Sequence, residues 1–350
     1  MVDQGARFDT RTKLMQFPER LVDFVEGRLP EPLLCELYPT YACQLRCPWC
    51  DMGHTLKDQT DASGHMPRRL LLSVVEQLSS AGVKAINWSG GGEPTLHPDI
   101  LEAVTLSKRL GMSNGMFTNG LWGHDARLWD ELPPQMNWIR FSLNSGWNKT
   151  LEGAQRVLAL RERDGWTATI GLGVVITNEM ADSAYRRRLI GLLENAVQSP
   201  FDYIQLRPNH LAPPDEVAEA DRLAKAMCAM LRTNYGDAER MLYRTPYKFA
   251  DGVVPARHYD ICYSPTFILT IGAEGFVWHC PDMVGKDPQR WSWGSLHELP
   301  LVDILNRSWI EMKILGVDVH KCPPLCKGHE TNKALWDIMK SDPSSHPGHL

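Results

Sequence analysis

From residue 33 to residue 234 the chain alternates short strand-like runs with longer helix-like ones, and this rhythm limits its fold more than any other feature. Strand-like runs stand at 33–40, 84–89, 114–118, 137–143, 168–176 and 202–207. Helix-like runs lie between them, near 67–82, 98–111, 124–132, 148–163 and 181–197, and one at about 214–234 follows the sixth strand. In the first of these, Leu71, Val74, Val75 and Leu78 recur at helical spacing behind Pro67, and Gly82 closes the helix. Strands alternating with helices imply βαβ crossovers and a parallel sheet. Six such units predict an α/β fold, a partial (β/α)6 barrel of TIM type, open or incomplete. Function in such barrels gathers at the C-terminal ends of the strands.

Around this rhythm the chain divides into four parts. Residues 1–30 read as a lead-in with one helix near Glu19–Glu26, and residues 31–240 as the barrel. Residues 241–330 are rich in Pro, Gly, Trp and Cys, with short strands expected at 266–271 and 276–279. They read as a small cysteine-rich unit that owes its stability partly to bound metal. Residues 331–350 read as a tail, disordered in SDPSSHPGHL. A length of 350 residues suits one large domain with an appendage. The formal net charge of -5 argues against a nucleic-acid partner, which needs a basic footprint. No window reads as a membrane span, and the polar N-terminus has no signal-peptide core. The expected compartment is the cytoplasm, where thiols stay reduced. The nine cysteines then read as metal ligands or core residues rather than disulfides.

Three of them, Cys43, Cys47 and Cys50, form C-x3-C-x2-C just after the first strand. Thiolates this close on one loop can converge on one metal centre. Zinc usually takes four ligands with C-x2-C pairs, and an iron–sulfur cube normally takes four thiolates. Three thiolates on a cube leave one iron open for a substrate or cofactor; a zinc site or unligated core cysteines are the alternatives. The next strand ends in SGGGEP, residues 89–94. Further strands carry polar side chains in register: Arg140, Ser142 and Asn144 on the fourth, Tyr203, Gln205 and Arg207 on the sixth. A sheet buried on both faces is apolar throughout, so these suggest a lumen that handles a polar ligand, or a structural polar network.

Together these motifs resemble the radical S-adenosylmethionine (radical SAM) superfamily. Residues 43–50 are similar to its cluster motif C-x3-C-x-Φ-C, with Trp49 at the aromatic position, and Gly91-Gly92-Glu93-Pro94 is similar to its GGEP motif. The resemblance implies a [4Fe-4S] cluster on Cys43, Cys47 and Cys50, whose open iron takes the amino and carboxylate groups of SAM. It also implies that Gly90, Gly91 and Gly92 let the backbone approach the methionine end, with Glu93 and main-chain groups holding the ammonium. Ser142 and Asn144 fall where the family often binds the ribose, Arg207 is a candidate for the SAM carboxylate or the substrate, and Thr118 and Asn119 end the third strand in a similar place. The fifth strand, IGLGVV, departs from the family's fuller G-x-I-x-G-x-x-E pattern. A flavodoxin- or ferredoxin-type electron donor is the implied partner.

A second set, Cys262-x12-Gly275-x4-Cys280 followed by Cys322-x3-Cys326, resembles the opening of the SPASM and twitch extensions of that superfamily. Four cysteines rather than seven fit the twitch type, with one auxiliary [4Fe-4S] cluster; a structural zinc site is the alternative. An auxiliary cluster near the substrate can accept an electron, so the layout resembles the butirosin-pathway dehydrogenase and the aminoglycoside epimerases. The expected substrate is a sugar or aminocyclitol, with Trp278, Trp291 and Trp293 either stacking on it or packing the small core. Oxidation of an alcohol is favoured over epimerisation because neither Cys35 nor Cys228 reads as a hydrogen donor. Arg207, His54, His279 and Asp282 are the candidate bases. A peptide substrate and a non-catalytic zinc or cluster scaffold are the competing readings; only about 30 residues precede the first strand, too few for the peptide-binding domain often found there.

Overall fold

The structure is a computed structural model that describes residues 13–50, 52, 64–123, 125–143, 146–209, 212–236, 241–243, 257–314, 319, 322, 326 and 328–340. His54 and Asn144 lie outside the described residues, as do 341–350.

Strands β1 (Leu34–Leu37), β2 (Ala85–Trp88), β3 (Ser113–Thr118), β4 (Trp138–Ser142), β5 (Thr169–Ile176) and β6 (Tyr203–Pro208) pair in sequence order, each parallel to the next. Helices α1 (Pro18–Val25), α2 (Arg68–Ser80), α3 (Ile100–Arg109), α4 (Ala126–Glu131), α5 (Trp147–Asp164), α6 (Ser183–Gln198) and α7 (Pro214–Tyr235) complete the repeat. α2 buries Leu71, Val74, Val75 and Leu78, the face read from the sequence. The strands separate two environments by alternation. Cys35, Leu37, Ile86, Trp88, Ile139 and Phe141 are buried in the hydrophobic core, while Glu36, Asn87, Arg140 and Ser142 take the other face, that of the lumen. Two glycines shape that lumen. A side chain at Gly115 would collide with the Trp138 indole, and one at Gly171 with the Tyr203 ring, so each glycine makes room for an aromatic residue of the next strand.

The C-terminal segment continues the same sheet. After β7 (Met241–Tyr243) and the short helix α8 (Ser264–Phe267), β8 (Ile268–Ile271) pairs parallel to β1 on its outer edge. β9 (Phe276–Trp278) and β10 (Ser292–Ser295) extend it antiparallel, with the short α9 (Pro288–Trp291) between them. The strand order is β10-β9-β8-β1-β2-β3-β4-β5-β6-β7. α10 (Leu301–Ile314) then packs on α2. Part of the expected tail is ordered: residues from His329 to Lys340 form α11. Its fully buried Asn332 accepts from Tyr263 N at 2.5 Å and donates to Ile261 O at 3.0 Å, which locks the helix beside α8. The lead-in is also part of this core, since the Phe24 ring meets Phe267 and Tyr263 edge-on. No helix among the described residues is long and apolar enough to cross a membrane.

Candidate active site

The cysteine loop leaves β1 at its C-terminal end and is held down by the SGGGEP turn. Glu93 N donates to Ala42 O at 2.8 Å, one residue before Cys43. A Cβ on Gly92 would overlap Ala42 O and the Tyr41 carbonyl carbon, and a Cβ on Gly91 would fall 2.5 Å from the Tyr41 ring. Gly90 has φ of +155°, a conformation open to glycine. Gly91 and Gly92 are thus small enough for Tyr41 and Ala42 to lie on them.

The Glu93 carboxylate is bonded within the chain. It is 2% exposed, and its four donors all come from the chain. Oε1 accepts from Thr95 N at 3.2 Å, Thr95 Oγ1 at 2.7 Å and Thr118 Oγ1 at 2.8 Å; Oε2 accepts from Asn119 N at 2.6 Å. Burial raises its pKa, and these hydrogen bonds oppose the rise. Glu93 is thus the knot that ties β2, β3 and the cysteine loop, and its side chain is committed. Thr118 is committed with it, since its hydroxyl also accepts from Gly120 N at 3.1 Å and Trp122 Nε1 at 2.8 Å.

Asn119 has a different role from ligand binding as well. Its Oδ1 accepts from Leu121 N at 2.8 Å, which turns Nδ2 toward Gln44 Oε1 at 3.1 Å and Cys43 Sγ at 3.8 Å. Leu45 N donates to the same sulfur at 3.4 Å. Two N–H donors on one thiol suit a thiolate that ligates iron, where such bonds tune potential. Cys47 is partly exposed and Cys50 exposed. Among the described residues no group of three or more His, Cys, Asp or Glu side chains is gathered tightly enough for a single ion. A cube spreads its thiolates wider than one ion does, so the triplet fits a cluster by donor type and by loop placement.

Beside Trp49 two hollows open. One, of about 280 Å³, is lined by Pro48, Trp49, Ile176, Thr177, Asn209 and Glu216, at the C-terminal ends of β5 and β6. The other, of about 480 Å³, lies across Trp49 against Arg46, Trp147, Tyr185 and Arg188. Trp147 holds a positive φ of 44°, rare for a side chain of that size, with the Arg188 guanidinium 4.5 Å from its ring. Thr177 and Asn209 were not singled out from the sequence; their position just past two strand ends is the signal that points to them. Ser142 and Arg207 stand at the ends of β4 and β6, both partly exposed. Deeper in the lumen Arg140 donates to Gln205 Oε1 at 2.8 Å and lies over the Phe117 ring at 4.1 Å.

The C-terminal thiols converge from distant segments. Burial, first, and then neighbouring thiols raise Cys262 (through Cys326 and Cys322), while Cys322 is pushed up to about 11 by burial and Cys326. Cys280 rises well above the ordinary thiol value through burial, then Asp282, Cys326 and Cys262. Asp282 stands by this quartet. His279 packs against Trp293 with ring centroids 3.8 Å apart, and burial lowers its pKa to about 4. Trp278 and Trp293 are buried in the core, so the packing alternative holds for them and sugar stacking does not. Cys35 and Cys228 are buried in the core too.

Residues 37–168 match the model of the radical SAM superfamily. They form a radical SAM domain. Curated relatives include the PqqA peptide cyclase of Methylorubrum extorquens, 35% identical over 28% of this chain and 24% of that protein. The enzyme of the same name from Xanthomonas oryzae pv. oryzae is 26% identical over 51% of this chain and 47% of that one. The chain thus matches between about a quarter and a half of the length of these relatives. Among solved structures, Streptococcus suis SuiB bound to precursor peptide SuiA aligns with a TM-score of 0.59 at 15% identity, over 87% of this chain and 70% of that one. Native anSMEcpe with bound AdoMet aligns at 0.55 and 17% identity, over 85% of this chain and 88% of that one. At these identities the likeness is one of fold, and that fold is the partial barrel of radical SAM proteins.

Proposed function

We propose that this radical SAM protein oxidises a secondary alcohol of a sugar or aminocyclitol to a ketone. The observation that supports the reading is the convergence of Cys262, Cys280, Cys322 and Cys326, each partly exposed, beside the strands that extend the barrel sheet past β1. Loss of a hydrogen atom, an electron and a proton would convert the alcohol; Cys43, Cys47 and Cys50 would hold a cluster that with SAM would supply the abstracting radical, and the quartet would hold an auxiliary cluster that would accept the electron. The chain's own work is to place and shield. Cys43, Cys47 and Cys50 hold the first cluster, Asn119 orients Cys43, and Gly90 with the main chain of the SGGGEP turn faces the methionine end. The hollow beside Trp49 would take the nucleoside, and Ser142 and Arg207 stand at the ends of β4 and β6. Arg140, Gln205 and Arg207 give the lumen the hydrogen-bond donors and acceptors that a polyhydroxy ring needs. A flavodoxin- or ferredoxin-type protein is the proposed reductant.

Anaerobic reconstitution tests this. About eight irons per chain, 5′-deoxyadenosine release with dithionite, and a product two mass units lighter than an aminoglycoside-type substrate are expected. In deuterated solvent, a product one mass unit heavier, carrying one solvent deuterium, would mean epimerisation. A peptide substrate is the second reading, favoured by the PqqA peptide cyclase relatives. Deuterium transfer from a labelled peptide, and none from a labelled aminocyclitol, would establish it instead.

A further inference from the structure

The larger of the two hollows beside Trp49, about 480 Å³, has no part in the chemistry above. In it Arg46, Pro48 and Trp49 of the cysteine loop meet the starts of α5 and α6. Gly146, just ahead of α5, sits on the same loop, since a Cβ there would come 3.6 Å from the Leu45 side chain. Arg46 and Arg188 in the lining are exposed, and so is Arg187 beside them on α6. The acidic residue of the lining, Glu179, accepts from Thr177 Oγ1 at 3.2 Å, and Asp182 caps α6 by accepting from Ala184 N at 2.7 Å. The whole chain carries a formal net charge of -5, so a cationic face here runs against the sign of the molecule. The helix dipole does not account for it. Arg187 and Arg188 lie near the N-terminus of α6, the end that favours anions, and the first turn holds no acidic residue. Arg186 alone of the three is turned to its own chain, donating to Met180 O at 3.0 Å. The Arg188 guanidinium is held 4.5 Å from the Trp147 ring, which in turn meets Tyr185 edge-on at 5.1 Å. Trp147 keeps a positive φ of 44°. Such strain persists only where the surroundings fix it, and it gathers at functional sites.

We propose that this hollow and its arginines are the docking face of an acidic one-electron carrier protein that reduces the first cluster. The face is built on the loop that carries the thiols: Arg46 and Pro48 flank Cys47, and Cys50, next to Trp49, is exposed. A carrier seated there stands beside those thiols and leaves open the hollow proposed for the nucleoside, across Trp49. Its carboxylates meet Arg46, Arg187 and Arg188. Guanidinium–carboxylate pairs are charge-assisted, and at an interface they speed and orient encounter more than they add affinity. The step moves one electron from the reduced carrier to the cluster; the carrier leaves oxidised by one electron, and no bond is made or broken. The inference rests on the reductant proposed above and gives it a place on the chain.

The test is 5′-deoxyadenosine release from the reconstituted protein with SAM and no substrate, driven either by dithionite or by flavodoxin or ferredoxin reduced beforehand. Carrier-driven release by wild type is expected to fall at least roughly tenfold between about 0.05 M and about 0.5 M salt, with little change in the dithionite arm. The double variant Arg187→Glu with Arg188→Glu should cut carrier-driven release at low salt at least roughly tenfold, with iron content and dithionite-driven release as in wild type. If that variant loads less iron, Arg187→Glu alone decides, because it leaves the Trp147 stack intact; a roughly threefold loss confined to the carrier arm is expected. Carrier-driven release that ignores salt and both variants would overturn the proposal, as would a wild type that dithionite reduces and neither carrier does. Variants that spare carrier-driven release but weaken turnover of substrate under dithionite would make the hollow a substrate site and also overturn it. A failure of the proposed oxidation shows separately, in the mass of the product formed with dithionite.

Discussion

The two cysteine sets solve opposite problems. Cys43, Cys47 and Cys50 come from one eight-residue stretch, stay partly or fully exposed, and depend on other parts of the chain to hold their loop. Glu93 and Gly92 pin that loop from below, and Asn119 reaches its first sulfur. Cys262, Cys280, Cys322 and Cys326 span 262–326 and come from separate segments; all four are partly exposed, and burial raises Cys262, Cys280 and Cys322 as it also raises Cys43. An exposed, incomplete thiol set leaves room for a ligand. A set gathered from separate segments depends on the tertiary fold, and its thiolates repel one another unless a cation joins them.

The sharpest way to break the contrast is Cys43→Ala, which should abolish 5′-deoxyadenosine release, measured by chromatography after dithionite reduction. Residual release at the wild-type rate would remove the triplet from the reaction. Cys262→Ala should instead halve the iron, to about four per chain, and leave SAM cleavage in place while product formation stops. If product still forms, the quartet is not the electron acceptor. Gly92→Ala tests the support beneath the exposed set: a Cβ there overlaps the Ala42 carbonyl. A loss of about 3 kcal/mol in urea denaturation is expected, together with weaker cluster loading.

His279 reports on the C-terminal set by its pH response. Its folded pKa, about 4, lies below the ordinary 6.5, so the native state keeps the neutral ring. That contribution is fully present above pH 6.5 and is lost as pH falls toward about 4, up to about 3 kcal/mol in all. His279→Phe should flatten that part of the stability profile, and an unchanged profile would show that the ring is not what takes up the proton. Tyr41→Phe gives the smallest effect. Tyr41 Oη donates to Glu274, which also accepts from Trp278 Nε1 at 2.6 Å, so this link joins the cysteine loop to β9. Losing it should cost about 1–2 kcal/mol with little change in SAM cleavage.

β1, β2 and β4 were legible because each buries alternate residues and so leaves a period of two in the sequence, while β5, buried at all but its first position, reads as an apolar run. β7 and β10, three and four residues long, carry too few residues to show a period. α11 escaped for another reason: its anchoring residues include polar His329 and Asn332, which bond to residues about seventy positions away. At the site, cysteine and glycine spacing marked the loops, while the hydrogen-bond partners of Glu93 and Thr118 came only from the structure. Their hydrogen bonds join β2 to β3, and no local pattern distinguishes a carboxylate that binds a ligand from one that binds its own chain.

By itself the sequence determined the strand–helix alternation, the three-thiol loop and the glycine turn, since each is a short-range pattern set by backbone conformation or ligand spacing. Only the tertiary structure decided that β8 runs beside β1 and that four distant thiols share one neighbourhood. These are contacts between residues far apart in the chain. They are fixed by packing and by the need to bond every buried polar group, and neither leaves a period in the sequence.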